Sequence, residues 1–433
     1  MEPTPDEDAA PTGTARERGA PAGGRAIGLG LVLLCLFGTL ALGGALKAPC
    51  SSAAWSDGRQ YRWLCYSDIL PLLGTEQLTT GRLPFIDRCD PAVQAGANCD
   101  EYPVLTMYFM RVAAWMSGPS YSAYFAVNAV LLGACAVAIV LCLYLITGPR
   151  ALLFALAPTL LIYGFMNWDL FAVALATGAF LAFVNRRDRL AGVLAGLGVA
   201  AKLYPALLLV AFILERRRTK EPDRVITLAW SSALTWLVVN VPFAIASPSS
   251  WWTFFRFNSA RPADFDSLWY VGCNQVHVDL VCGRVGRIDL LSAVIFVVLC
   301  FGVAWAKGRR HPDYPRWELA FPIVVLFLLT NKVYSPQYGL WLLPLFAIAL
   351  PDVRAFVTFE LADVAVFMTR FWWFGKTSGF WGTPFWMFET AIVIRSAVLV
   401  WCLVAWILRA PEPLPGAIGF ERPRPTRPAR VLA

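Results

Sequence analysis

Eight long apolar stretches recur along this chain of 433 residues, at roughly 26–46, 122–147, 151–167, 169–184, 225–246, 288–306, 355–374 and 388–409. Each approaches the ~20 residues a helix needs to cross the hydrocarbon core of a bilayer. In lipid every backbone N–H and C=O must find its partner within the protein, so such stretches form helices. A composition of 58% hydrophobic and 15% charged residues excludes an ordinary soluble domain. The net charge of +8 is not a nucleic-acid footprint, because the Lys and Arg residues stand in short runs between the apolar stretches. An all-α polytopic membrane protein with no nucleic-acid partner is expected.

Residues 1–25 and 410–433 are rich in Pro, Ala and charge and read as disordered cytoplasmic tails around a membrane domain spanning 26–409. The first stretch reads as a retained anchor, since a 25-residue tail precedes it and no small-residue cleavage site follows it. The runs Arg186-Arg187-Asp188-Arg189, Arg216-Arg217-Arg218-Thr219-Lys220 and Lys307-Gly308-Arg309-Arg310 belong in the cytoplasm. They read purely as topogenic and lipid-surface charge. Two long loops, 47–121 and 247–287, then fall outside. Within the first, residues 102–117 are apolar but carry Arg111 in mid-segment. Counting them as a span would put every basic run outside, so an interfacial helix is expected there.

The apolar stretch 190–214 lies between two basic runs, so the chain must turn back within it, at Lys202-Leu203-Tyr204-Pro205. Its arms would reach only ~18 and ~14 Å, against a hydrocarbon core of ~30 Å. A turn at that depth must be buried in protein or line a watery cavity. Residues 317–330 and 338–350 are also short, which recesses the connection Asn331–Tyr338. About ten spans plus one re-entrant hairpin are expected, with two polar turns reaching one outward-facing cleft.

Cysteines test this topology independently, because disulfides form outside the cytoplasm. Of 11 cysteines, Cys50, Cys65, Cys89, Cys99, Cys273 and Cys282 fall in the two outside loops and the other five within spans. Two disulfides are expected in the first loop, with the pairing open, and one in the later loop. With only His277 and His311 present, no metal site is expected, and His277 reads as a plain loop residue.

The order of these parts resembles the GT-C membrane glycosyltransferases that use polyprenyl-phosphate sugars. More narrowly, it resembles glycosyltransferase family 87, the bacterial membrane mannosyl- and arabinofuranosyltransferases. The stretches that carry the likeness are Tyr66-Ser67-Asp68, Tyr102-Pro103, Asn167-Trp168-Asp169, Ala201-Lys202-Leu203-Tyr204-Pro205 and Lys332-Val333-Tyr334-Ser335-Pro336-Gln337-Tyr338. They span nearly the whole chain between the tails. One departure stands out: where the phosphatidylinositol-mannoside branch carries a histidine pair, this chain has Gln337 and Tyr338.

The resemblance implies displacement at an anomeric carbon, with lipid phosphate leaving as an acceptor hydroxyl attacks. A hydroxyl is a poor nucleophile until its proton is taken, so one carboxylate within reach is the minimum equipment. Asp68 is the candidate base, with a helix cap as its alternative role. A single base implies inversion. Lys202, Lys332, Tyr334 and Gln337 are candidates for the donor phosphate; the alternative for Lys202 is a structural ion pair or a capped helix end, and for Lys332 an interfacial anchor. Asn167, Asp169, Glu101, Tyr102 and Arg261 are candidates for sugar or acceptor, with a cap as the other reading of Asp169. Arg256 reads as a solvated charge, and the aromatic segment Phe371–Trp386 as an interfacial belt. The expected donor is polyprenyl-phosphomannose, then polyprenyl-phosphoarabinofuranose, with a glycolipid or glycan acceptor, membrane lipid as surroundings and no cofactor. A lipid or solute transporter is the alternative class; such folds often show two related halves, and no long internal repeat is evident here.

Overall fold

The computed structural model describes residues 22–52, 55–90, 99–276 and 279–415. The expected tails fall outside these residues except at 22–25 and 410–415, and His277 also lies outside them. The described chain is helical throughout, without strands, as expected of an all-α membrane protein. Among the described residues five helices are long and apolar enough to cross a membrane: Gly28–Cys50, Tyr121–Ala155, Pro222–Ala246, Val285–Arg310 and Phe385–Leu408. Leu290, Val294, Val298, Phe301 and Trp305 stand exposed on the fourth, an apolar face that lipid would cover.

Local chemistry sets the helix boundaries. Proline opens the helices Pro205–Arg218, Pro222–Ala246 and Pro248–Ala260, where its missing N–H costs nothing. Asp352 caps Val353–Thr377 by accepting from the N–H groups of Arg354 and Ala355 at 2.9 and 3.1 Å. The stretch 151–167, expected as one span, is instead broken into Leu152–Ala155 and Pro158–Tyr163. Pro158 disfavours helical backbone at the residue before it and cannot continue a helix itself. Beyond the second of these helices, residues 164–168 form an irregular segment, which matters for the site.

The hairpin between basic runs is present as Asp188–Ala201 and Pro205–Arg218, each of 14 residues. At 1.5 Å per residue each arm is ~21 Å long, short of the ~30 Å core. Asp188–Ala201 packs closely on Pro222–Ala246 through small residues. A Cβ at Gly192 or Gly196 would lie 2.5 Å from the carbonyl oxygen of Leu228 or Ser232, respectively. The second pair of short elements is Ala320–Thr330 and Leu343–Ala349, joined through a 3-10 turn at Pro336–Trp341.

The basic runs are less simple than expected. Arg216 is fully buried, and its Nε donates to Asp188 at 2.8 Å, while Arg224 reaches the same carboxylate at 2.6 Å. These charges tie three helix ends together as well as marking a face. The segment expected as an interfacial helix forms the helix Val104–Ser117, and a further helix, Pro248–Ala260, opens the later loop. Both large loops carry disulfides, with pairs Cys50–Cys65, Cys89–Cys99 and Cys273–Cys282.

Candidate active site

Asp68 stands at the N-terminal edge of the short helix Ile69–Thr75, the place of a cap. Its backbone is already helical and its side chain caps nothing. Capping needs an extended residue whose oxygen turns back to the first N–H groups, so this carboxylate is left for another use. Tertiary contacts hold the segment: the Asp68 N–H donates to the Met166 carbonyl at 2.8 Å, and Ser67 Oγ to that of Phe165 at 2.9 Å. The irregular segment 164–168 is thereby stapled to the first loop.

Each carboxylate oxygen of Asp68 then meets its own donor. Tyr66 donates its hydroxyl to Oδ1, and Asn167 donates Nδ2 to Oδ2, both at 2.8 Å. The neighbouring carboxylate raises the Tyr66 phenol well above its ordinary range, with burial adding to the effect, so it stays a donor. Asn167 Nδ2 also donates to the Tyr102 hydroxyl at 2.7 Å, while its Oδ1 accepts the Trp168 N–H at 2.6 Å.

These groups face a cavity of about 730 Å³. Tyr66, Asp68, Glu101, Tyr102, Lys202, Arg261, Lys332 and Gln337 all line it, so the first loop, the hairpin turn, the later loop and the second short turn meet there as expected. At the mouth, burial raises the Glu101 carboxyl, opposed by the charge of Arg261. Lys202, extended at the end of its helix, forms an ion pair with Asp169 at 2.7 Å. Trp341 donates Nε1 to the same carboxylate at 2.6 Å and is stacked between Tyr204 and Tyr338, with ring centroids at 4.2 and 4.0 Å. Lys202 therefore has an aromatic cradle beneath it, with its ammonium 4.9 Å from the Tyr338 ring. Lys332 has two partners, Asp289 at 2.9 Å and the Ser259 carbonyl at 3.1 Å.

Three expected site residues lie behind the wall. Asp169 is fully buried beneath Lys202, and Asn167 is 1% exposed behind Asp68. Tyr334 is also buried, with the Arg395 guanidinium 3.8 Å over its ring. Gln337 lines the cavity and Tyr334 does not. Arg256 does not line the cavity and stays a surface charge, its Nη2 3.5 Å from Thr253 Oγ1.

Arg370, Phe371 and Phe374 also line the cavity, and sequence reasoning did not place them there. Phe371 and Phe374 fall in the segment read as an interfacial belt, and Arg370 directly precedes it. A usable signal was present: Glu360, Asp363 and Arg370 recur on one stripe of a membrane helix, and such charges face the protein interior. Arg370 pairs with the buried Asp266 of the later loop. Among the described residues there is no group of three or more His, Cys, Asp or Glu side chains placed to hold a metal ion.

ArnT from Cupriavidus metallidurans, solved with undecaprenyl phosphate, is similar at 14% identity and TM-score 0.44, over 90% of this chain and 77% of that one. The Archaeoglobus fulgidus oligosaccharyltransferase AglB, solved with an inhibitory peptide and a dolichol-phosphate, is similar at 14% identity and TM-score 0.40, over 88% of this chain and 56% of that one. A search of curated proteins gave no match. The profile of glycosyltransferase family 87 matches residues 101–336, more than half of the chain. The chain belongs to glycosyltransferase family 87 and is a membrane glycosyltransferase.

Proposed function

We propose that this enzyme moves a sugar, mannose before arabinofuranose, from a polyprenyl-phosphate donor to a hydroxyl of a cell-envelope glycolipid or glycan. The observation that carries this reading is the state of Asp68: an uncapped carboxylate on the wall of a large cavity, oriented by Tyr66 and Asn167. The reaction runs at the outer face of the plasma membrane, as the three disulfides in the loops around the cavity support.

In this mechanism the acceptor oxygen attacks the anomeric carbon from the Asp68 side. Its proton passes to Asp68 as the new C–O bond forms, and the bond to the lipid phosphate breaks with its electron pair leaving on phosphate oxygen. One base and one displacement invert the anomeric centre. Lys202 is the foremost phosphate cation, because its aromatic cradle holds it at the cavity wall, and Arg261 and Gln337 are within the same enclosure. A prepaid, partly dry cationic site stabilises the charge that grows on the leaving phosphate without reorganising. Lys332 acts by fixing the later loop through Ser259 and Asp289. Asp169 serves by pairing with Lys202, and Glu101 and Tyr102 by meeting sugar hydroxyls at the mouth.

The test is transfer of label from radiolabelled polyprenyl-phosphomannose, and separately from polyprenyl-phosphoarabinofuranose, into membranes bearing the protein. Incorporation from mannose donor alone is expected. Incorporation from the arabinofuranose donor alone overturns the sugar, and incorporation from neither overturns the donor class.

A further inference from the structure

Lys47 is a buried charge that the mechanism above leaves unused. It ends the helix Ala22–Lys47 and is 1% exposed. Its Nζ donates to the Tyr66 carbonyl at 2.7 Å and stands 5.4 Å from the centre of the Phe367 ring. Among the described residues no carboxylate forms a direct ion pair with it. A cation in the last turn suits the helix dipole at a surface, but enclosing one without a partner is costly.

Asp68 has the complementary lack. It accepts from two neutral donors, Tyr66 and Asn167, and forms no direct ion pair among the described residues. Asp68 is also the charged group whose field acts on Lys47. The two are linked through the chain as well. Lys47 grips the backbone of Tyr66, the Tyr66 hydroxyl donates to Asp68 Oδ1 at 2.8 Å, and the Cys50–Cys65 bond ties the chain just beyond Lys47 to the residue just before Tyr66.

The other groups that face Asp68 are already committed. Asp169 and Arg370 lie within its electrostatic reach, and each is paired, with Lys202 and Asp266 respectively. The Tyr66 and Tyr102 phenols stay neutral, raised well above their ordinary range by the Asp68 charge above all for Tyr66 and by burial for Tyr102. Lys47 is left as the cation whose charge is not spent on another carboxylate.

We propose that Lys47 is a positioning residue for the base: its buried ammonium is the counter-charge that keeps Asp68 ionised, and its grip on the Tyr66 carbonyl sets the hydroxyl that donates to Asp68. This rests on the reading of Asp68 as base and adds to it a residue that does not line the cavity. Burial by itself favours a neutral carboxyl, and a protonated Asp68 cannot take the acceptor's proton.

The test is the pH dependence of single-turnover sugar transfer at saturating donor, for wild type and three variants. Lys47→Gln keeps a donor for the Tyr66 carbonyl and loses the charge, Lys47→Met loses both, and Lys47→Arg keeps both. Without the cation the carboxylate takes up a proton more readily, so the acid-side fall in rate moves to higher pH, by about one unit, the low end of what a nearby opposite charge does. That shift is expected in the Gln and Met variants and not in the Arg variant, with undecaprenyl-phosphate affinity retained in all three. A lysine that only tied down the loop would let Gln match wild type, while Met lowered the melting temperature alone. A Gln profile that coincides with wild type overturns the proposal, as does an Arg profile shifted like that of Met. Should one neutral variant fail to fold, the other decides by the same criterion. Wild-type protein that transfers no sugar would instead overturn the function on which the proposal rests.

Discussion

Asn167 holds Asp68 by one amide hydrogen at 2.8 Å, and its amide cannot turn round, because Oδ1 already accepts the Trp168 N–H at 2.6 Å. The orientation of the proposed base is thus set by one residue of the irregular segment 164–168. Asn167→Leu keeps the volume and removes the donor. It is expected to lower kcat about 10- to 100-fold, the worth of a hydrogen bond to a charged group, with the donor KM little changed. Steady-state kinetics at varied donor concentration checks this; a raised KM with unchanged kcat would place Asn167 in substrate binding.

The pairing of Lys202 with Asp169 at 2.7 Å allows structure and function to be separated. Lys202→Met leaves a fully buried carboxylate unpaired, which costs ~3–5 kcal/mol in such pairs. Lys202→Met combined with Asp169→Asn should recover thermal stability but not affinity for undecaprenyl phosphate. Recovery of both would make Lys202 purely structural.

The Cys50–Cys65 bond closes a loop of sequence separation 15 directly before Tyr66. Loop-closure entropy at that length is worth ~3 kcal/mol. Replacing both cysteines with alanine is expected to lower the melting temperature and expose the first loop to protease. Unchanged proteolysis would show that packing alone holds the loop.

Glu76 gives the first loop a pH dependence. Burial pushes its carboxyl up to about 8 from the ordinary 4.5, despite the Asp100 N–H that it accepts at 2.7 Å and Arg82 at 3.5 Å. Between those two values the folded loop holds a proton that the unfolded chain has lost. Stability therefore falls as pH rises through that window and levels off above the folded value. Limited proteolysis of the loop across the window should show this slope, and Glu76→Gln should flatten it.

Much of the architecture could be read from residues alone, because lipid leaves helices little freedom and basic runs with short apolar stretches force a hairpin. The break at Pro158 was visible as a proline but was absorbed into an apolar stretch long enough to span. The roles of Asp68 and Asn167 depend on tertiary contacts to residues about a hundred positions away, which no local pattern encodes. Asp169 and Tyr334 were selected as polar residues in the right motifs, and packing turned both behind the wall. Arg370 was hidden by its aromatic neighbours, although its spacing from Glu360 and Asp363 marks an inward face. Arg216 shows the reverse error, a charge assigned to the surface that folding buries against Asp188.

The central claim is that Asp68 takes the acceptor's proton, and Asp68→Asn tests it most directly because the amide keeps the shape and loses the basicity. The measurement is single-turnover transfer from labelled polyprenyl-phosphate sugar, alongside undecaprenyl-phosphate affinity as a control for the intact cavity. Loss of a general base predicts a rate lower by ~10²–10⁴ with lipid-phosphate affinity retained. A folded Asp68→Asn enzyme that transfers at the wild-type rate contradicts the account.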